Sequence, residues 1–229
     1  MTGVADETTG ASVRPIRSVA VLGAGTMGAQ IAAHVANAGV SVLLLDLDRA
    51  TAATGLKRAT SLRPNPFFLR DTPARVRVGG FDRDLAGIAA CDWIVEAVIE
   101  RLDAKQALLA QVETHRREDA IVSSNTSGIP IGTIAEGRSA AFRRHWLGTH
   151  FFNPPRYLRL VEIIPTGDTD PAVVTALSSF VDRQLGKGVV VAKDTPNFIA
   201  NRIGLFGVMR LLEQLASGAF TIEEIDAMT

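Results

Sequence analysis

The chain is poor in the features that commit a protein to several classes of function. Cysteine occurs once, as Cys91. No internal disulfide can form, a Cys-based zinc site is excluded, and the chain fits a reducing compartment. Neither sign of charge prevails, because 24 Lys plus Arg balance 24 Asp plus Glu. A general electrostatic grip on nucleic acid or on an anionic membrane is therefore not expected. No apolar run approaches the about 20 residues that span a bilayer, and neither a repeat nor a low-complexity tract is present. Residues 1–15 are polar and acidic, with no apolar core of a signal peptide and no Arg-rich transit pattern. They are expected to form a disordered lead-in. Together with the lone cysteine, this makes a cytoplasmic location the expectation.

What is present is an ordinary globular composition, 47% hydrophobic and 21% charged over 229 residues. That length suits one large domain, or one domain and part of a second. Buried-strand patterns occur at 17–22, 40–46, 92–98, 120–124, 146–152, 159–164 and 188–192. Helical patterns separate most of them, at 26–38, 48–60, 102–117, 131–136 and 170–184. Near-continuous Val/Leu runs between helices mark parallel strands covered on both faces. The fold class is thus α/β, a Rossmann-type doubly wound, mostly parallel sheet. Residues 62–80, with three prolines and two glycines, read as a loop with at most a short strand. After Pro196 the pattern changes. Residues 197–217 read as one long apolar helix and 221–228 begin another, the expected start of an all-helical second domain. The division expected is a lead-in over 1–15, a dinucleotide-binding domain over 16–195, and the beginning of a truncated helical domain over 196–229.

Residues 23–28 read GAGTMG, a G-x-G-x-x-G that directly follows a strand and opens a helix. The second strand ends in Asp46, 18 residues after Gly28. In that context the pattern is a dinucleotide fingerprint. Gly23 permits the tight turn, Gly25 the approach of a pyrophosphate, and Gly28 close packing of helix on strand. Thr26 and Met27 open the helix whose N-terminus faces the phosphates. Asp46 suits the adenosine ribose hydroxyls and repels a 2′-phosphate, so NAD is expected over NADP.

GAGTMG, VEAVIERLDAK, SNTSG, HFFNPPRYLRLVE and DTPNFIANR, in this order from about residue 17 to the end, resemble the L-3-hydroxyacyl-CoA dehydrogenase family. The wording is similar to that of the long bacterial members, in which an enoyl-CoA hydratase-like domain can follow. The resemblance implies oxidation of L-3-hydroxyacyl-CoA to 3-oxoacyl-CoA, with hydride transfer to NAD, in fatty acid β-oxidation. It also implies an acyl-CoA partner, while the apolar surface of 197–217 predicts either a homo-oligomer formed through the helical domain or burial of that helix against its own Rossmann domain. A same-fold dehydrogenase of a free 3-hydroxy acid or sugar acid, and a catalytically silent NAD-binding module, are the alternatives.

Such chemistry needs a base, and His150 is the candidate, near the C-terminal end of a strand where open α/β sheets place their sites. Glu162, 12 residues on, can meet it if the two strands are neighbours, and the family pairs His with Glu at these positions. A carboxylate there would fix the tautomer and stabilise the imidazolium. The resemblance places Ser127 against the reacting oxygen and the cofactor, and Asn201 facing the substrate. It places Glu100, Lys105 and Asn153 beside the cofactor. Arg101 departs from the commoner family pattern, which has Asn after the Glu. No metal site is expected. The segment LKRATSLRPNPFFLRDTPARVR, where the family helps hold coenzyme A, offers several Arg with Phe67 and Phe68. It reads equally as a basic, aromatic grip on coenzyme A or as a solvated loop with two phenylalanines docked.

Overall fold

A computed structural model describes residues 14–228. The lead-in expected over 1–15 therefore lies, but for Arg14 and Pro15, outside the described residues.

Eight strands among the described residues form one sheet: β1 (Ser18–Leu22), β2 (Ser41–Asp46), β3 (Val76–Gly80), β4 (Trp93–Glu96), β5 (Ile121–Ser124), β6 (Trp146–Phe151), β7 (Leu160–Pro165) and β8 (Gly188–Val191). Their order is β3-β2-β1-β4-β5-β6-β7-β8. All neighbours are parallel except β6 and β7. The connection between those two is short and carries no helix, which only an antiparallel pair allows. The helices are α1 (Thr26–Asn37), α2 (Arg49–Ser61), α3 (Leu102–His115), α4 (Ile131–Ile134), α5 (Ala140–Arg143), α6 (Pro171–Arg183), α7 (Ala200–Ala216) and α8 (Ile222–Met228).

Both sheet faces are apolar, which explains the unbroken Val/Leu runs. Val19 and Val21 join α1 and α6 in one core, through Ile31, Val35, Leu177 and Val181. Ala20 and Leu22 join α3 in the other, through Leu108, Leu109 and Val112. Each such buried aliphatic side chain contributes about 1.5–3 kcal/mol. The chain leaves β3 at one edge and returns to place β4 beside β1, on the other side from β2. This reversal opens a crevice at the carboxyl ends of β1 and β4, where doubly wound sheets bind ligands.

Two stretches depart from the pattern read in the sequence. Residues 76–80 form a full edge strand, with five register partners on β2, so the short strand expected within the loop extends through Gly79 and Gly80. Residues 197–199 do not belong to the helix expected over 197–217. Asn197 and Phe198 have φ of +64° and +47°, and α7 begins only at Ala200. No residue of α7 is buried; Ile203 and Phe206 are each 68% exposed. The helix therefore does not pack its apolar side on the Rossmann domain.

Candidate active site

The fingerprint turn is built for close approach. Gly23 sits at φ +105°, and a Cβ there would lie 2.6 Å from the Ala97 carbonyl oxygen. A Cβ on Gly28 would lie 1.8 Å from the Gly23 carbonyl oxygen, so α1 rests directly on the turn. Gly25 is different: a Cβ there meets nothing within 4 Å. Its openness serves a ligand rather than the fold. No side chain caps the start of α1 at Gly25, Thr26 and Met27, so first-turn N–H groups and the helix dipole are left to an anion. Asp46 accepts from Ala24 N at 2.6 Å and Leu47 N at 2.7 Å, one bond to each oxygen. Each oxygen keeps a lone pair for a ribose hydroxyl. A dinucleotide fits this cradle: the open Gly25 for its pyrophosphate, the uncapped α1 for its charge, and Asp46 for its ribose.

Across the switch point, three charges hold the turn after β5. Glu100 accepts from the Thr126 hydroxyl, from Ser127 N at 3.0 Å and from Gly128 N at 3.3 Å. Its other oxygen lies 3.2 Å from Lys105 Nζ. Partial burial pushes the Glu100 carboxyl up, but the Thr126 hydroxyl, the Lys105 charge and the Ser127 N–H outweigh it and hold it below the usual carboxylate range. Lys105, only 1% exposed, also pairs with Glu96 at 2.8 and 3.0 Å. Arg101 turns instead to exposed Asp103. Asn153 accepts from Gln30 Nε2 at 3.1 Å, and the same amide donates to the Thr26 carbonyl at 3.0 Å. That bridge ties the β6–β7 connection to the start of α1.

His150 and Glu162 face each other in register across the antiparallel pair. His150 Nδ1 lies 2.7 Å from Glu162 Oε2. Since a carboxylate can only accept, Nδ1 carries a proton, and in the neutral imidazole Nε2 is then the nitrogen with the lone pair, the tautomer a base requires. Nε2 has no partner among the described residues. Glu162 Oε1 accepts from Ile199 N at 3.0 Å and Ala200 N at 2.8 Å. The left-handed Asn197–Phe198 pair serves this contact, aiming the start of α7 at the carboxylate. It also lays the buried Phe198 ring 5.6 Å from the imidazole, which Phe152 approaches at 4.5 Å. Ser127 is exposed, its hydroxyl without a partner among the described residues. Asn125 Oδ1 accepts from Phe151 N at 2.9 Å, which joins Ser127's turn to the residue after His150. Asn201 is half-buried, next to Ala200 and so close to the Glu162 contact.

The sequence reading leaves Glu96 outside the site and does not single out Ser124, Gln30 or Phe198, all of which contact residues named above. One signal was available: Lys105 lies on the same helical stripe as Leu108, Leu109 and Val112, so a buried cation needed a buried anion nearby. In the segment over 56–77 the two phenylalanines divide. Phe67 is buried in the core, whereas Phe68 is exposed and stacks under the Arg156 guanidinium at 4.6 Å.

Residues 18–195 match the family model described as 3-hydroxyacyl-CoA dehydrogenase, NAD binding domain. A probable 3-hydroxyacyl-CoA dehydrogenase of Deinococcus radiodurans is 48% identical over 221 residues, which cover 93% of this chain and 64% of that protein. One from Bacillus subtilis is 43% identical over 93% of this chain and 30% of its own length. A fatty acid oxidation complex subunit alpha of Pseudomonas putida is 35% identical, over 92% and 30% respectively. The chain thus spans less than two thirds of the length of these relatives. Among solved structures, (S)-3-hydroxybutyryl-CoA dehydrogenase PaaH1 of Ralstonia eutropha superposes with a TM-score of 0.78 at 31% identity, over 92% of this chain and 75% of that one. The chain belongs to the 3-hydroxyacyl-CoA dehydrogenase family and carries its NAD-binding domain.

Proposed function

We propose that the protein oxidises L-3-hydroxyacyl-CoA to 3-oxoacyl-CoA in fatty acid β-oxidation. The observation that carries this reading is the His150–Glu162 pair, with a free imidazole lone pair beside a dinucleotide cradle. NAD, when bound, supplies the hydride acceptor. His150 Nε2 takes the substrate hydroxyl proton as the C3 hydride departs, leaving a ketone and an imidazolium. Glu162 stabilises that imidazolium, and its two backbone N–H bonds keep the carboxylate in place. Ser127 donates to the reacting oxygen, and Asn201 orients the substrate from the α7 side. Glu100, Lys105 and Asn153 border the cofactor. Residues 16–195 form the NAD-binding unit and 196–229 begin a helical one, whose exposed α7 joins a second copy. The name of the Pseudomonas putida relative, a fatty acid oxidation complex subunit, supports a place in fatty acid oxidation.

The test compares 3-hydroxyacyl-CoA with free 3-hydroxy acids and sugar acids, following NADH, on this chain and on the complete product of its reading frame. Turnover of the thioester alone supports the reading. Turnover of free acids transfers it to another substrate class. NADH binding without any turnover identifies a silent module. His150→Gln and Glu162→Gln should each lower kcat, by about 10²–10⁴-fold for the base. The double variant should be little worse than the worse single one, because groups that act as a unit are not additive.

A further inference from the structure

We propose that Glu96 is a positioning residue that sets the Ser124–Gly128 turn under the nicotinamide half of NAD. The inference rests on NAD lying in the crevice described above. Asp46 ends β2 and takes the adenosine ribose, and Gly25 takes the pyrophosphate between β1 and α1. The remaining half of the dinucleotide must then extend the other way, over β4 and β5 toward His150 on β6. Ser127 lies on that path.

Glu96 ends β4 and is fully buried. An apolar residue would suit such a position better, since a buried carboxylate is strongly unfavourable unless every oxygen is engaged. Here both are. Oε1 accepts from Val98 N at 2.7 Å and Lys105 Nζ at 2.8 Å. Oε2 accepts from Lys105 Nζ at 3.0 Å and from the Ser124 hydroxyl. Because that hydroxyl gives its proton to Glu96, its lone pairs face outward, and one accepts from Thr126 N at 3.1 Å. The Glu96 carbonyl also accepts from Asn125 N at 2.7 Å.

The turn is therefore held from two sides. Glu96 fixes it from the core through Ser124, and Glu100 fixes it from the rim through Thr126, Ser127 and Gly128. Lys105 joins the two carboxylates. The ring reaches the backbone at Val98, Thr126, Ser127 and Gly128, and none of its bonds engages the Ser127 hydroxyl. Glu96 touches neither cofactor nor substrate in this arrangement; it acts through the turn. Gln in its place keeps the shape but presents an NH₂ group to Lys105 and to one further donor, either the Ser124 hydroxyl or Val98 N–H. The turn then loses its inner support.

Calorimetric titration with NADH and with ADP-ribose tests this on the whole chain. ADP-ribose reads the Asp46 and Gly25 half alone. Glu96→Gln should weaken NADH about tenfold and leave ADP-ribose within about twofold. Ser124→Ala leaves the Glu96–Lys105 pair intact, so it keeps the test available if Glu96→Gln fails to fold; it should give the same selective loss, smaller. In a Ser127→Ala background, Glu96→Gln should add little further loss of NADH. Equal losses for both ligands, unchanged affinities in folded variants, or full additivity with Ser127→Ala would each overturn the proposal. A wild-type chain that binds ADP-ribose but not NADH would refute the placement of the nicotinamide half, and one that binds neither would refute the cofactor reading itself; the inference falls in both cases.

Discussion

Two glycines of one fingerprint should fail in opposite ways when given a methyl group. At Gly28 a Cβ would stand 1.8 Å from the Gly23 carbonyl oxygen and 3.4 Å from Ala97 Cβ. Non-bonded carbon and oxygen settle no nearer than about 3 Å, so α1 and the turn must part by roughly an ångström. Overpacking of that kind costs about 1–3 kcal/mol. Alanine returns about 0.5–1 kcal/mol through its helix preference over glycine. A clash with backbone puts the cost in the upper part of the overpacking range, about 2–3 kcal/mol, so the balance is a loss of about 1–2.5 kcal/mol, or about 2–10 °C in Tm for a domain of this size. At Gly25 the added methyl meets nothing within 4 Å, and the backbone φ of −65° suits alanine. Gly25→Ala should therefore melt within about 2 °C of wild type. It should nevertheless bind NAD at least about tenfold more weakly, because the methyl occupies the approach of the pyrophosphate. Differential scanning fluorimetry gives the first comparison and calorimetric titration the second. A Gly28→Ala chain with wild-type Tm, or a Gly25→Ala chain with wild-type NAD affinity, would refute the assignment of one glycine to the fold and the other to the ligand.

Three further outcomes follow from other parts of the molecule. NAD should bind more tightly than NADP, and Asp46→Asn should narrow the gap by up to about 1–3 kcal/mol; calorimetry showing equal wild-type affinities would remove Asp46 from the ribose site. His34 is buried, with Nε2 3.0 Å from the Leu185 carbonyl and Nδ1 without a partner, and burial first, then the nearby Lys187 and Arg156 charges, lower its pKa from 6.5 to about 4. The unfolded chain thus takes a proton there before the folded one does, so stability should fall as pH drops from 6.5 towards 4, by on the order of 3 kcal/mol, and level off below; Tm against pH for wild type and His34→Gln should diverge in that window, and parallel curves would contradict the burial argument. Light scattering should find a concentration-dependent mass, with Ile203→Glu and Phe206→Glu shifting it to the monomer, because α7 leaves both side chains 68% exposed; an unchanged mass would count against association through that helix.

The parts of this molecule that were legible in the sequence are those fixed by local rules. The β1 turn, α1 and β2 follow from an apolar run, a glycine pattern and a terminal acid, all within one continuous stretch. The His150–Glu162 contact needed only the pairing of adjacent strands, and the register supplies it. Where the reading failed, a distant group had overruled the local signal. Gly79 and Gly80 look like loop punctuation, yet they lie in an edge strand because the Asp84 carboxylate closes on them. A Cβ on Gly79 would lie 2.6 Å from Asp84 Oδ2, so these glycines make room for a carboxylate and do not end the strand. The helical pattern of NFIANRIG runs through 197–199 without a break. The break comes at the positive φ of Asn197 and Phe198, and Glu162, a strand residue 37 positions from Ile199, caps the helix that follows by accepting from the N–H groups of Ile199 and Ala200. Holding two non-glycine residues at positive φ is unfavourable, and the chain accepts it at the base's own carboxylate. Glu96 and Lys105 follow the same logic. Neither periodicity nor a motif pairs a strand end with a residue nine positions on, but a fully buried cation on an apolar helical stripe requires a buried anion. Apart from the β3 edge, the deviations from local preference thus gather around His150 and the turn that carries Ser127, the place proposed for the reaction.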